Sequence, residues 1–493
     1  MHTRKRNLSV STLMVGVLAF FMAASFTLVA GPEKFPDTAA GKRLKEVVDL
    51  VNEGSRKKWN NYMTETFTRE FLDFAPLEQH LDIFSETCDT YGSFEFKGAD
   101  EASAFRLSAS LWSPLTESWV NLRMRVEEAP PHRIGGIGIG PGRPPAGTVP
   151  AGGKTDREIA KDLERFLQKL AKADKFSGTV LLARDNKILF KGAYGLASKR
   201  FDVANRIDTK FNLGSMNKMF TAVAIAQLVE KGKLSYDDPV GKYLDSAWVQ
   251  PETAEKVRIK HLLSHTAGLG SFFNDKFWKS SRLLYRELAD WQPLIKDKKL
   301  KFEPGSQWSY SNTGMFLLGP VIEKVTGQGY YDYIREHIYK PLGMVNSDCY
   351  EMDRPVPNLA IGYYKKFEEE GFDWRNNILL HSLKGGPAGG GFSTVEDLFR
   401  FGRALMETKL IGRESVELLT TPKPALNSPR YGYGFVIKNF GDESVVGHSG
   451  GFPGINSILQ IYKKSGYIYA IMSNYSQGIS AVNARLAALL LPE

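Results

Sequence analysis

The sequence has little cysteine and histidine and no clustered basic segment. Its two cysteines, Cys88 and Cys349, and its eight histidines show no Cys-x-x-Cys or His-Glu-x-x-His spacing. A zinc site or a metalloprotease centre is therefore not indicated, and no metal or other cofactor is expected. The net charge of +9 includes Arg4, Lys5 and Arg6, and falls to +6 without them. No lysine- or arginine-rich stripe follows, so a nucleic-acid partner is not expected.

Long apolar runs are confined to the N-terminus. After the basic start, an uncharged and mostly apolar run extends from Leu13 to Ala30, and no acidic residue precedes Glu33. This pattern is typical of a signal peptide over residues 1–30 and predicts an exported protein, periplasmic or secreted. The alternative is a retained membrane anchor. In an exported chain the two cysteines either pair as a disulfide or remain isolated buried thiols, the interpretation favoured here.

Residues 37–133 predict a small α+β domain. Apolar residues recur at helical spacing in its first half, as at Leu44, Val47 and Val51. In the second half the period becomes two, around Leu107 and Leu122, which is typical of strands. Helices followed by antiparallel strands resemble the nuclear transport factor 2-like fold. No catalytic constellation is present in this domain, and its role is not indicated.

The segment 134–154 is rich in glycine and proline. Eight glycines and four prolines lie between Gly135 and Gly153. Such a composition predicts an interdomain linker.

A large domain is predicted over residues 155–493. It begins with an amphipathic helix that contains Leu163 and Phe166 on one face, followed by a hairpin that turns near Asp185. A mostly helical middle separates this hairpin from three later strands and a terminal helix. A sheet built from both ends of the domain should therefore enclose a helical insertion.

Ser215 and Lys218 form the first candidate site, a Ser-x-x-Lys motif ahead of an apolar helix. Ser215 is predicted at the helix N-terminus, where free N–H groups favour developing negative charge. Lys218 would lie one turn later on the same face, and burial would lower its pKa so that it could act as a base. A second Ser-x-x-Lys, Ser55 to Lys58, lies in a polar stretch and is interpreted as chance.

Tyr310 and Asn312 form a Tyr-x-Asn motif, and His448 with Gly450 forms a His-x-Gly motif. We expect a partly ionised Tyr310 phenol to shuttle the serine proton, and Asn312 to donate to a substrate carbonyl. His448 would offer a donor or partial charge to a substrate carboxylate or to Tyr310. The Gly451 N–H, opposite that of Ser215, would complete an oxyanion hole.

Taken together, the three motifs resemble those of the penicillin-recognising serine hydrolases, especially class C β-lactamases, D-alanyl-D-alanine carboxypeptidases and related esterases. Supporting phrases that look similar are Leu234–Val240, Leu262–Leu269 and Gly389–Thr394. The resemblance covers roughly residues 160–490. It implies an α/β β-lactamase/transpeptidase-like fold, with an antiparallel sheet flanked by helices and a helical subdomain. It also implies Ser215 as the acylated nucleophile, Lys218 and Tyr310 as the proton-transfer pair, and Asn312 as a substrate-orienting residue.

The third motif departs from many true β-lactamases, which carry lysine where this chain has His448. The departure favours peptidase or esterase activity on a small-molecule or peptide substrate through a covalent acyl-enzyme. One alternative is a penicillin-binding sensor or scaffold that acylates without turnover. Another is an interaction protein with a vestigial cleft, which the intact motifs disfavour.

Three further residues are of types that occur in catalytic sites. Ser449 fits a Gly-x-Ser-x-Gly nucleophile elbow, but no helix is predicted after it and no histidine follows His448. His265 is interpreted as part of a structural turn at a helix end. His381, near the glycine-rich stretch, is not assigned a role.

Overall fold

The computed structural model describes residues 34–142 and 154–491. The predicted signal segment and residues 143–153 of the predicted linker lie outside these ranges. Within them, no helix is both long enough and apolar enough to cross a membrane.

The first part of the chain consists of four helices and then four strands, as the change of period predicts. The helices are α1 (Ala39–Glu53), α2 (Arg56–Thr66), α3 (Arg69–Asp73) and α4 (Leu77–Tyr91). The strands are β1 (Glu95–Ala102), β2 (Arg106–Ser113), β3 (Ser118–Val126) and β4 (Ile134–Pro141), paired in that order. The apolar face of α1, including Leu44, Val47 and Val51, is buried in a core shared with β2 and β3. This part is α+β, and its likeness to the nuclear transport factor 2-like fold stays a prediction.

Strand β4 corrects the predicted linker. Ile134–Pro141 pairs with β3 along its whole length, with Ile139 opposite Leu122 and Ile137 opposite Met124. Strand pairing uses backbone groups, and the isoleucines between the glycines supply the side chains that pack on the core. The composition was therefore misleading over residues 134–141.

The middle of the chain contains a hairpin and then mostly helices. Its elements are α5 (Asp156–Lys172), β5 (Gly178–Arg184), β6 (Lys187–Tyr194), β7 (Leu196–Ser198), β8 (Val203–Ala204), β9 (Phe211–Asn212), α6 (Asn217–Glu230), α7 (Pro251–Lys256), α8 (Ile259–Leu263), α9 (Asp275–Lys279), α10 (Gln292–Ile295), α11 (Asn312–Thr326) and α12 (Tyr330–Ile334). Residues 217–228 of α6 are all buried, and α6 packs against α11 in one large apolar core.

The last part returns to strands. Its elements are β10 (Tyr363–Phe367), β11 (Phe372–Asn376), β12 (Phe392–Ser393), α13 (Val395–Met406), α14 (Arg413–Leu419), β13 (Val436–Phe440), β14 (Glu443–Phe452), β15 (Ile455–Tyr462), β16 (Tyr467–Ser473) and α15 (Ser480–Leu490). Antiparallel pairing gives a six-stranded sheet in the order β13-β14-β15-β16-β5-β6, with α13 packed against its central strands. A sheet made from both ends of the domain is therefore confirmed.

The described residues divide into two compact units, and the division differs from the predicted boundary at residue 155. The larger unit holds 176–364 and 376–479; the smaller holds the residues before 176 together with 365–375 and 480–491. Ion pairs explain why both α5 and α15 belong to the smaller unit. Asp162 of α5 pairs with Arg485 of α15 at 2.7 Å, and Glu117 pairs with Arg165 and Lys169 of α5.

Candidate active site

Ser215 lies in a short 3₁₀ turn, Gly214–Met216, that leads directly into α6. This placement agrees with the predicted helix N-terminus. The turn is fixed from both sides, because the Leu213 N–H donates to the Gly391 carbonyl at 2.7 Å and the Ser457 hydroxyl donates to the Leu213 carbonyl at 2.8 Å.

Lys218 is fully buried on the first turn of α6. Burial lowers the pKa of its amine well below the ordinary value. Its Nζ donates to Asn312 Oδ1 at 2.9 Å and to the Ala388 carbonyl. A neutral amine has two N–H groups and one lone pair, so these two bonds leave the lone pair available to accept a proton.

Tyr310 precedes α11, and its hydroxyl hydrogen bonds to Ser215. Lys218 Nζ lies 5.0 Å from the centre of the Tyr310 ring. Although 36% of the residue surface is exposed, protein atoms surround the hydroxyl, and this burial raises its pKa well above the ordinary value. Tyr310 is therefore a neutral phenol at rest. The expectation of a partly ionised phenol is wrong, because desolvation outweighs the hydrogen bond from Ser215.

Asn312 is the first residue of α11, whose N-terminus is capped by the Ser311 side chain. Asn312 Oδ1 accepts the bond from Lys218, and Nδ2 donates to Ser271 Oγ at 3.3 Å. One N–H of the amide remains for another acceptor, so the structure is compatible with the predicted contact to a substrate carbonyl.

His448 differs from its predicted role as a donor to substrate. Its Nδ1 lies 2.6 Å from the Ser449 carbonyl, which can only accept, so Nδ1 carries the proton. Its Nε2 then accepts from the Tyr431 hydroxyl at 3.0 Å. Burial, with a smaller effect from Lys218, lowers the pKa of His448 to about 3. The ring is neutral with both nitrogens engaged, and its centre lies 6.3 Å from that of Tyr310.

The backbone of β14 passes very close to the Ser215 turn at Gly450 and Gly451. A Cβ on Gly450 would lie 1.9 Å from the Leu213 carbonyl oxygen, and one on Gly214 would lie 2.9 Å from the Gly451 nitrogen. Within the described strands, β13 pairs with β14 only up to Gly447, so no strand separates residues 448–452 from the turn. The Gly214 and Gly451 backbones therefore lie side by side next to Ser215, which is compatible with the predicted oxyanion hole.

The comparisons with known proteins agree with this geometry. The family model described as Beta-lactamase matches residues 163–491. The chain belongs to the beta-lactamase family. It is similar to penicillin-binding protein 4* of Bacillus subtilis (strain 168), with 31% identity over 61% of this chain and 69% of the relative. A putative penicillin-binding protein PbpX from the same strain is 30% identical over 69% of this chain and 82% of its own length.

Two solved structures support the same assignment. A penicillin-binding protein from Bacillus halodurans has a TM-score of 0.60 and 31% identity, covering 68% of this chain and 99% of its own. A D-stereospecific amidohydrolase from Streptomyces sp. has a TM-score of 0.56 and 26% identity, covering 68% of this chain and 99% of its own. The predicted fold class is thereby confirmed, and this beta-lactamase-family chain is a serine hydrolase.

His265 contributes more to this beta-lactamase-family site than the sequence indicated. It lies in the predicted turn after α8, with a left-handed φ of 61°. Its Nδ1 accepts the Ser311 N–H at 3.2 Å, and its ring centre lies 4.3 Å from that of Tyr310 and 4.4 Å from that of Tyr431. Burial lowers its pKa well below the ordinary value, so the ring is a neutral support for Tyr310 and Asn312. The segment Leu262–Leu269, which looks similar to the family's sequences, was the signal that could have indicated this role.

Asn217, between Ser215 and Lys218, is a second residue whose contribution was missed. Its Nδ2 donates to the Gly386 carbonyl at 3.2 Å, and its Oδ1 accepts from the Gly391 N–H at 3.1 Å. It thereby holds the glycine-rich segment that supplies the Ala388 carbonyl to Lys218.

The remaining candidates lie outside the catalytic constellation. Ser55 caps α2, and Lys58 is exposed and paired with Glu53, so this second Ser-x-x-Lys is coincidental. Ser449 lies within β14, which is followed by another strand and not by a helix. Cys88 and Cys349 are both free thiols.

Proposed function

We propose that this protein is an exported serine hydrolase that forms a covalent acyl-enzyme on Ser215 from an amide or ester substrate. The observation that carries the proposal is the state of Lys218. Its amine is buried, which lowers its pKa and favours the neutral form, and in that form its two N–H groups are bonded and its lone pair is free. Its Nζ lies 5.0 Å from the centre of the Tyr310 ring, whose hydroxyl bonds to Ser215.

The proton path follows from these contacts. As Ser215 Oγ attacks the substrate carbonyl, its proton passes through the Tyr310 hydroxyl to the Lys218 lone pair. The Ser215 and Gly451 N–H groups stabilise the oxyanion of the tetrahedral intermediate. Collapse of that intermediate breaks the bond to the leaving group, which takes the proton back through Tyr310. Water then repeats the sequence on the ester and releases the acid.

The absence of a cation in the third motif favours peptidase, amidase or esterase activity over penicillin hydrolysis. A neutral His448 with both nitrogens engaged offers no positive charge to a substrate carboxylate. The similar Streptomyces sp. protein is named as a D-stereospecific amidohydrolase, which supports D-amino-acid amides as one substrate class to test.

A second candidate function is a penicillin-binding sensor or scaffold that acylates without turnover. This candidate is supported by the names of two relatives, which are called penicillin-binding proteins. The two functions differ in steady-state rate, because a sensor releases about one equivalent of product and then stops.

The deciding experiment is a substrate panel of nitrocefin, p-nitrophenyl esters and D-amino-acid amides, including D-alanyl-D-alanine peptides. Sustained turnover of amides or esters that is lost in Ser215→Ala supports the hydrolase. A burst without turnover supports the sensor, and activity unchanged in Ser215→Ala contradicts both. N-terminal sequencing of the protein recovered outside the cytoplasm tests export, with cleavage expected near residue 30.

A further inference from the structure

A partly open cavity lies beside Ser215 in the larger unit. Aromatic residues form one side of its wall. The aromatic residues that line it are Phe272, Phe273, Phe277, Trp291, Phe316 and Phe452. Such a wall contacts a ligand mainly through dispersion and loss of apolar surface, with edge and face contacts to rings.

The aromatic residues form two connected groups. Near the surface, Phe273, Trp278 and Phe452 are half-buried, and the Trp278 and Phe452 rings stack with an interplanar angle of 10°. Deeper in the cavity, the Trp291 ring centre lies 4.8 Å from Phe272 and 5.1 Å from Phe316. The cavity therefore has an aromatic entrance and an aromatic floor, each built from rings that hold one another in place.

Charge is missing from this wall. Among the described residues that line the cavity, none is lysine, arginine, aspartate or glutamate. His381 is the titratable side chain among these lining residues, and burial lowers its pKa, which keeps its ring neutral. A charged group placed here would lose its hydration without gaining a counter-ion.

In the proposed mechanism, the cavity would lie on the acyl side of the scissile bond. The leaving group must approach Tyr310, because that hydroxyl returns the proton to it. Ser215, Asn312 and Gly451 line the cavity, but Tyr310 and Lys218 are not among its described lining residues. The part of the substrate that remains on Ser215 after the first step, the acyl group, is therefore the part that faces the aromatic wall.

We propose that this cavity selects substrates whose acyl group places an uncharged aromatic ring, or a comparably large apolar group, in it. The inference rests on the proposed acyl-enzyme mechanism, and it adds a substrate class to it. Small acyl groups should leave the aromatic floor uncontacted, and carboxylate-bearing acyl groups should be rejected.

The test uses p-nitrophenyl esters that share one leaving group and differ only in acyl group. Each kcat/KM is divided by the rate constant for hydroxide hydrolysis of the same ester. We expect 3-phenylpropanoate to exceed acetate by about 10- to 100-fold, the range for burying one phenyl-sized side chain. Hexanoate should exceed the adipate monoester, in which a carboxylate replaces the terminal methyl group of hexanoate, by at least ~10-fold.

Variants locate the preference. Phe273→Ala should reduce the ratio of 3-phenylpropanoate to acetate by about 5- to 10-fold. Phe201→Ala is the matched control, since it removes a phenyl ring that is 69% exposed and does not line the cavity. An equal ratio for all three proteins, or a preference for acetate or adipate, overturns the inference while leaving the acyl-enzyme mechanism intact.

A binding measurement tests the aromatic cavity separately from the acylation of Ser215. In Ser215→Ala, quenching of tryptophan fluorescence reports occupancy of the cavity, because Trp291 lines it. Binding of 3-phenylpropanamide at least ~10-fold tighter than acetamide supports the assigned pocket even if no ester is turned over. Equal binding of the two amides contradicts it even if every ester is hydrolysed.

Discussion

Gly450 is the position where a single methyl group should disable the proposed hydrolase without touching a reacting group. A Cβ there would lie 1.9 Å from the Leu213 carbonyl oxygen and 2.7 Å from Ser457 Oγ. Because Cβ atoms essentially never approach closer than 3.0 Å, β14 and the Ser215 turn must separate by about 1.1 Å in Gly450→Ala. A misplacement of about 1 Å in an active site costs on the order of 10²-fold in rate.

The assay is kcat/KM of Gly450→Ala for p-nitrophenyl acetate, together with a thermal melt. We expect a loss of about 10²-fold in kcat/KM and a destabilisation of about 1–3 kcal/mol, as for other overpacked sites. Gly138→Ala is the control, because a Cβ at this strand position of β4 meets nothing within 4 Å. A folded Gly450→Ala that retains wild-type kcat/KM would refute the argument that close approach of β14 builds the oxyanion hole.

Three further predictions concern titratable groups. Lys218→Met keeps the side-chain volume and removes the base, so kcat/KM should fall by about 10²- to 10⁴-fold. Because burial lowers the pKa of the Lys218 amine, the pH–rate profile of the wild-type enzyme should show activity that persists well below pH 10, and a loss of activity between pH 10 and pH 9 would contradict this. His448 has a pKa of about 3, so His448→Gln should leave the shape of the kcat/KM profile between pH 5 and 8 unchanged, and loss of an inflection there would show that the imidazole titrates. Hydrogen bonding to Arg165 lowers the pKa of Glu117 to about 2, so the stability that this carboxylate gives the folded protein is present above pH 4.5 and is lost as the pH falls toward 2. The free energy of unfolding of Glu117→Gln, measured with denaturant, should therefore depend less on pH over that window than that of the wild type, and an equal dependence would contradict the ion-pair assignment.

Motif spacing, periodicity and the resemblance to a known family predicted where the candidate catalytic residues lie in the fold. Ser215 and Lys218 could be placed on one helix turn because they are three residues apart and the apolar stretch that forms α6 follows at once. The sheet built from both ends of the domain followed from strands with clear boundaries. Such features depend on interactions between near neighbours, or on motifs with a fixed spacing.

Features that depend on long-range contacts were predicted poorly. Strand β4 was interpreted as linker, because composition does not reveal that Ile137 and Ile139 find a pairing strand and a core. The charge states of Tyr310 and His448 were misjudged for the same reason. Burial sets both, and His448 is also bonded to Tyr431, which was not singled out by any motif.

The acyl-enzyme on Ser215 is the central claim, and intact-protein mass spectrometry tests it most directly. The protein is mixed with p-nitrophenyl 3-phenylpropanoate at low temperature and quenched with acid while the ester is still being consumed. Its mass is then measured before and after digestion. The account predicts one added acyl group, located on the peptide that contains Ser215 and absent in Ser215→Ala. A hydrolysing enzyme with no adduct, or with an adduct on another residue, would contradict it.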